Sequence, residues 1–310
     1  MTDGRELAIA VKPHPLEGLA AGLGTRRGIA LLLLVPTLLF LLAFFVVPIA
    51  NMVKYSFYTQ TPDGSMVARF TLENYGRFFR GELYRHVLWV TLRISLFTTL
   101  AAIVLGYPTA LVMVRADRRL ARAIAIVVIS PLLVNVVIRT YGWRIILNRS
   151  GVINWLLLRA GLTTEPVDIL YNEFAIVVGS LHVFFPLMVL PLAAALGRID
   201  VSLEESARTL GANGLQVFRR VTLPLSLPGL AAGVSLVFSL TASSFVTPSL
   251  LGGEFAKMLG TLVQEEILAV FNWPFGAAIA TVLMALVLVI VLVYLRIVES
   301  RFRGFSMVTQ

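Results

Sequence analysis

Six runs of apolar residues, separated by short polar stretches, constrain this chain more than any other feature. They lie at about residues 28–53, 86–114, 123–143, 173–196, 226–246 and 275–298. Each is near or above the ~20 residues a helix needs to cross ~30 Å of hydrocarbon. Backbone N–H and C=O groups in lipid must be paired within their own segment, so runs of this length predict helices. Only 14% of residues are charged and 58% are hydrophobic, with a mean hydropathy of +0.86. A soluble domain carries about 25% charged residues, so the expectation is an all-α integral membrane protein with six spans. The first run is too long for the core of a cleavable signal and has no small-x-small cleavage site, so it reads as an uncleaved span. Pro36 and Pro48 are expected to kink it or mark its end, and Pro131 to break the third run.

The net charge of +9 does not point to nucleic acid. The basic residues sit in short segments between apolar runs, as topology signals do. Arg115, Arg118, Arg119 and Arg122 form the densest cluster. Placing that side in the cytoplasm puts both termini and the stretch 197–225 there as well. The expected division is a tail at 1–28, a transmembrane domain at 29–299 with a cytoplasmic loop at 200–225, and a tail at 300–310. There are no cysteines, which rules out disulfides, thiolate metal sites and a cysteine nucleophile.

The loop at 200–225 cannot be a span. Ser202 followed by Glu205 has the form of a capping box, which predicts a helix from Leu203. Leu203, Ala207 and Leu210 follow at i, i+4 and i+7 and give one apolar stripe. Gly211 is placed to stop the helix in a left-handed turn. Asn213 and Gln216 suggest a second helix start. Pro224 and Pro228 are expected to separate that short helix from the fifth span.

Catalytic chemistry is hard to place. No Gly-x-x-x-x-Gly-Lys-Ser/Thr loop occurs, so ATP binding by this chain is not expected. His14, His86 and His182 are far apart and show no metal-ligand spacing. His182 fits either a hydrogen-bonded interior histidine or a substrate contact. Arg93, inside the second run, either reaches an interface or pairs within the bundle, or else has a functional role. No acidic residue lies in the centre of a run, although a tight cation site would be expected to have one.

The loop also carries a resemblance. Glu205-Ser206-Ala207, Gly211 six residues after the Glu, nine further residues, then Val221-Thr222-Leu223-Pro224 resembles the EAA loop of the permease subunits of ABC importers. The family form is Glu-Ala-Ala, three residues, Gly, nine residues, Ile-x-Leu-Pro; Ser206 and Val221 are small departures. Leu72-Glu73-Asn74-Tyr75 resembles the Leu-x-Asn-Tyr element that precedes the family's second span. Phe245-Val246-Thr247-Pro248-Ser249-Leu250-Leu251-Gly252-Gly253, then Asn272-Trp273-Pro274-Phe275-Gly276-Ala277-Ala278, looks like the spermidine/putrescine branch. Ser244 stands where some polyamine-type relatives carry an acid.

The resemblance covers about residues 30–300 and implies a type I ABC importer transmembrane domain. It implies two ATPase subunits, a second permease subunit (favouring a different chain), a periplasmic substrate-binding protein, and an inner-membrane location. ATP and magnesium would belong to the ATPase subunits, with no cofactor, metal or catalytic residue here. Leu203, Glu204, Glu205, Ser206, Ala207, Arg208, Leu210, Gly211 and Pro224 would couple to the ATPase. Within that set, the stripe would supply packing, and Glu205 and Arg208 would supply orienting polar contacts. Asn135, Tyr141, Trp143, His182, Ser243, Ser244 and Phe245 are the expected solute-pathway residues. A polyamine leads as solute, with aminophosphonates, opines, ferric iron and thiamine open. A secondary transporter driven by an ion gradient is the alternative class. It would want mid-membrane ionisable groups and internal repeats. A membrane-embedded enzyme is a third, for which no catalytic constellation is visible.

Overall fold

The computed structural model describes residues 26–61 and 63–306. Most of the expected N-terminal tail and the last four residues lie outside the described residues. The chain falls into two compact units, divided between Lys54 and Tyr55.

The first unit is helical. Helix α1 (Arg26–Leu41) passes through a π-helical turn (Leu42–Val46) into α2 (Val47–Tyr55). Its apolar side chains are exposed, Leu33 and Phe44 by 72% and 71%, as suits a helix surrounded by lipid or by a partner. Pro36 leaves the helix unbroken, while the expected irregularity at Pro48 is a widened turn. Val47 N–H bonds the carbonyl of Leu42, five residues back. A proline ring strikes the carbonyl four residues before it, and a π turn moves that carbonyl aside.

The second unit opens with a small hairpin, β1 (Thr59–Gln60) and β2 (Met66–Val67), antiparallel with Thr59 opposite Val67. It is the one departure from an all-helical chain among the described residues. Helix α3 (Glu73–Arg80) follows and carries the Leu-x-Asn-Tyr element. Asn74 Nδ2 donates to the carbonyls of Ser56 and Tyr58, both at 2.9 Å, and the Tyr75 hydroxyl bonds Ser56 Oγ at 2.6 Å. The element therefore fastens the loop that leads into the next span.

Helices α4 (Glu82–Arg115), α8 (Glu173–Leu196) and α11 (Leu223–Ser243) pack on one another as the core of the bundle, and α14 (Trp273–Ser306) packs against α11. α8 has the bounds expected from its apolar run. α4 begins earlier, because its polar first turn is helical although it is not apolar. α11 ends at Ser243, because Ser244 turns to an extended conformation. The short helices α12 (Val246–Leu251) and α13 (Leu259–Leu268) lie between α11 and α14.

The third run does not form one straight span. It becomes α5 (Arg118–Ile129), a 3-10 turn (Ser130–Leu133) and α6 (Val136–Leu147), followed by α7 (Val152–Arg159). The two halves are bent by 103°. Pro131 enters the 3-10 turn at its start, and Asn135 caps the next helix by accepting the Val137 N–H at 2.8 Å. Arg139 donates to the Pro131 carbonyl, which also accepts the Val134 N–H at 3.3 Å, so the bend is held by a side chain as well as by the backbone. Among the described residues, five helices are long and apolar enough to cross a membrane, or six if the bent pair is one span.

Packing of α8 on α11 depends on a Gly-x-x-x-Gly pair. A Cβ on Gly229 would lie 2.6 Å from the Pro191 carbonyl and 3.1 Å from Leu192 Cα. A Cβ on Gly233 would lie 2.8 Å from Met188 Sδ and 3.2 Å from Met188 Cα. Without a large hydrophobic driving force between helices in lipid, such close approach of small residues supplies the packing energy. Met188 is fully buried at this crossing. Gly229→Leu must push the two backbones apart, so it is expected to cost at least the ~1–3 kcal/mol of ordinary overpacking. A thermal melt of the detergent-solubilised protein should show a clear drop; an unchanged melting temperature would refute this packing account.

Candidate functional site

The polar loop forms two short helices, α9 (Val201–Thr209) and α10 (Gly214–Val217). The expected start of α9 at Leu203 is corrected. Asp200 is the cap, its Oδ1 accepting the Ser202 N–H at 2.9 Å, and Ser202 lies inside the first turn. A carboxylate both satisfies a bare N–H and meets the positive end of the helix dipole, so it takes the capping position ahead of the serine hydroxyl. The Ser202 N–H and hydroxyl hold the Asp200 carboxyl below its usual range. The true capping box belongs to α10, where Asn213 and Gln216 each bond the other's backbone N–H at 2.9 Å.

Gly211 ends α9 as expected, with φ +86°. Its N–H bonds the Arg208 carbonyl at 2.9 Å, and the Ala212 N–H bonds the Ala207 carbonyl at 3.0 Å. This paired arrangement satisfies carbonyls at the end of the helix and needs a left-handed residue. Nothing lies within 4 Å of a Cβ at this position, so within this chain the backbone angle alone selects glycine.

Pro224 and Pro228 do not separate α10 from the next span, contrary to expectation. A π turn (Phe218–Thr222) links them, and Gly214–Ser243 runs as one helix. The Leu223 N–H bonds the Phe218 carbonyl five residues back. Pro224 follows directly on this π turn, which moves aside the carbonyl that its ring would otherwise strike. The loop is therefore joined to α11 by continuous helix.

α9 has two distinct faces. Leu203 and Leu210 are 48% and 88% exposed, Ala207 is half-buried, and Glu205, Ser206 and Arg208 are exposed. Among the described residues, little covers the two leucines of the stripe, Leu210 least of all. Glu204 instead points inward, its side chain only 14% exposed. Its Oε1 accepts from Arg115 Nη2 at 2.7 Å and from Thr222 Oγ1 at 3.0 Å. Sequence reasoning read Arg115 only as a topology signal and Thr222 only as part of a motif, and did not find their contacts with Glu204, 89 and 18 positions away. A cleft of about 320 Å3 lies beside this contact, lined in part by Leu111, Val112, Arg208 and Phe218.

The expected solute-pathway residues do not all converge. Trp143 and His182 do meet, with the indole N–H donating to His182 Nδ1 at 2.9 Å. His182 is thus a hydrogen-bonded histidine between α6 and α8. Asn135 caps α6, as described above. Tyr141 is half-exposed, its ring centroid 5.9 Å from the Arg144 guanidinium carbon. Ser243 donates to the Ser239 carbonyl at 2.8 Å. Ser244 is the extended residue between α11 and α12, and Phe245 is 46% exposed beside it. Arg93 forms an ion pair with Glu173 in the first turn of α8. Among the described residues, no three His, Asp or Glu side chains gather as a metal site would require.

Both the sequence and the fold have known counterparts. Residues 102–304 match the family model for the binding-protein-dependent transport system inner membrane component. The chain is 36% identical over 258 residues to the spermidine/putrescine transport system permease protein PotB of Haemophilus influenzae, covering 83% of this chain and 89% of that one. It is 34% identical over 256 residues to PotB of Escherichia coli, covering 83% and 93%. A crystal structure of a bacterial ABC transporter involved in the import of the acidic polysaccharide alginate superposes with a TM-score of 0.75 at 21% identity, over 91% of this chain and 99% of that one. That likeness carries the fold, a type I ABC importer transmembrane domain. This chain belongs to the inner-membrane permease family of binding-protein-dependent ABC importers, a family of transport subunits without catalytic activity of their own.

Proposed function

We propose that this permease passes a polyamine such as spermidine or putrescine into the cytoplasm, driven by ATP hydrolysed in two partner subunits. A periplasmic binding protein delivers the solute, and a second permease, a different chain, completes the membrane pathway. ATP and magnesium belong to the ATPase subunits. Both termini and the α9–α10 loop face the cytoplasm.

The observation that carries the coupling reading is the uncovered apolar face of α9. A helix capped at both ends, with Leu210 almost fully exposed, is a preformed knob for a groove on another protein. Burying each leucine there contributes ~1.5–3 kcal/mol. Glu205 and Arg208 are free to orient it. Closure of the ATPase dimer on ATP pulls the docked helix, and the bundle moves between two rigid arrangements. The solute reading rests on the likeness to the PotB proteins and on the two motifs flanking α12 and α13. The absence of an acid at Ser244 suits a pathway that lets the solute through while the binding protein selects it.

Two outcomes are expected. Leu203→Asp with Leu210→Asp should leave the permease in the membrane while ATPase subunits recovered by co-purification fall about tenfold, the equivalent of ~1.4 kcal/mol or more. Unchanged recovery would refute docking through this face. Reconstituted with its partners, the complex should take up labelled spermidine only with ATP present, and Gly211→Asp or Glu205→Lys should abolish that uptake. Uptake driven by an ion gradient without ATP would favour the secondary-transporter class.

A further inference from the structure

We propose that Glu204, rather than its exposed neighbour Glu205, is the positioning residue through which α9 moves the membrane helices. This rests on the reading of α9 as the docking helix and adds where the applied force goes.

A docked helix moves the bundle only if it is held to the bundle. Along the backbone, α9 is connected through residues 197–200 on one side and through residues 210–213, with left-handed Gly211, on the other. Either connection alone would let α9 tilt while the spans stay in place. Glu204 supplies the missing link. One carboxylate oxygen holds two groups from different regions of the bundle: the Arg115 guanidinium at the last residue of α4, and the Thr222 hydroxyl in the π turn that opens into α11. The Arg115 and Glu204 side chains are 26% and 14% exposed, so salt and water screen the pair less than a surface pair.

Those two groups are themselves tied together. The Tyr107 hydroxyl of α4 bonds Ser226 Oγ of α11 at 2.7 Å, and both residues are buried. The Tyr107 ring meets Phe218 edge-on at 5.3 Å. The end of α4, the π turn and the root of α11 therefore form one body, and Glu204 is the point where α9 grips it. Glu205, on the outer side of α9, remains available to a partner.

The test uses the reconstituted complex with its ATPase subunits and binding protein, and reads solute taken up per ATP hydrolysed. Glu204→Gln is expected to retain the ATPase subunits through purification and to lose about tenfold in uptake per ATP, within the usual range of coupling between sites. Thr222→Val should give a smaller loss in the same direction. Glu204→Arg combined with Arg115→Glu should recover some of what either change loses alone, as a direct contact between the two side chains requires. The loss of uptake per ATP with the ATPase subunits still bound is what separates positioning from a purely local structural role. Because Thr222→Val removes one hydrogen bond without touching charge, it carries the test if Glu204→Gln fails to fold. The proposal is overturned if uptake per ATP is unchanged in Glu204→Gln, or in Thr222→Val where that variant carries the test. It is also overturned if the charge exchange does no better than the single changes, or if Glu204→Gln sheds the ATPase subunits and so acts as a docking contact. Failure of the docking reading is separate, since it would show as ATPase subunits still bound to the Leu203→Asp, Leu210→Asp variant.

Discussion

A backbone N–H or C=O left bare in hydrocarbon costs several kcal/mol, and this constraint orders the whole structure. It makes the apolar runs helical and decides how each interruption is built. At the bend of the third run, Asn135 covers an N–H, and the Pro131 carbonyl accepts from both the Val134 N–H and Arg139. Before Pro48 and Pro224 the helix widens by one π turn instead of breaking. Inside α4, the hydroxyls of Thr91, Ser95 and Thr99 each give their proton to a carbonyl four residues back, all at 2.7 Å. Those three side chains therefore occupy the core with their donors paired.

The loop between α8 and α11 meets the same demand differently. Its helix ends are satisfied by Asp200, Gly211, Asn213 and Gln216, all local devices. A segment so completely closed on itself needs no cover for its backbone, and it presents its leucines outward. Its hold on the bundle then depends on few contacts, of which the Glu204 carboxylate is the most polar. In the proposed mechanism this combination suits a coupling element, which must be stiff, exposed on one side and anchored on the other.

Much of this was legible in the chain itself. The bounds of α8 follow from its apolar run, and the stop at Gly211 and the second start at Asn213 follow from local signals within about one turn. Other features were out of reach for identifiable reasons. The 103° bend at 130–135 was only half visible, because Pro131 marks a break but not its angle. Asp200 was passed over as cap because Ser202 and Glu205 form a better-known pattern close beside it. The continuity of α10 with α11 was hidden because a proline taken up by a π turn and a proline that ends a helix look alike in sequence. The Glu204–Arg115 contact joins positions 89 apart, and no local pattern encodes it. The expected pathway residues were chosen by type and depth, and the structure joins only Trp143 and His182 among them by a hydrogen bond.

Because the chain has no cysteine, a single one can report the position of α9 without background. With Leu210→Cys in the assembled importer, the central claim predicts that a membrane-impermeant thiol reagent reaches the residue only from the cytoplasmic side. It also predicts that a short bifunctional reagent joins this residue to an ATPase subunit. Labelling from the outer face of intact cells, or the absence of any crosslink to an ATPase subunit, would contradict it.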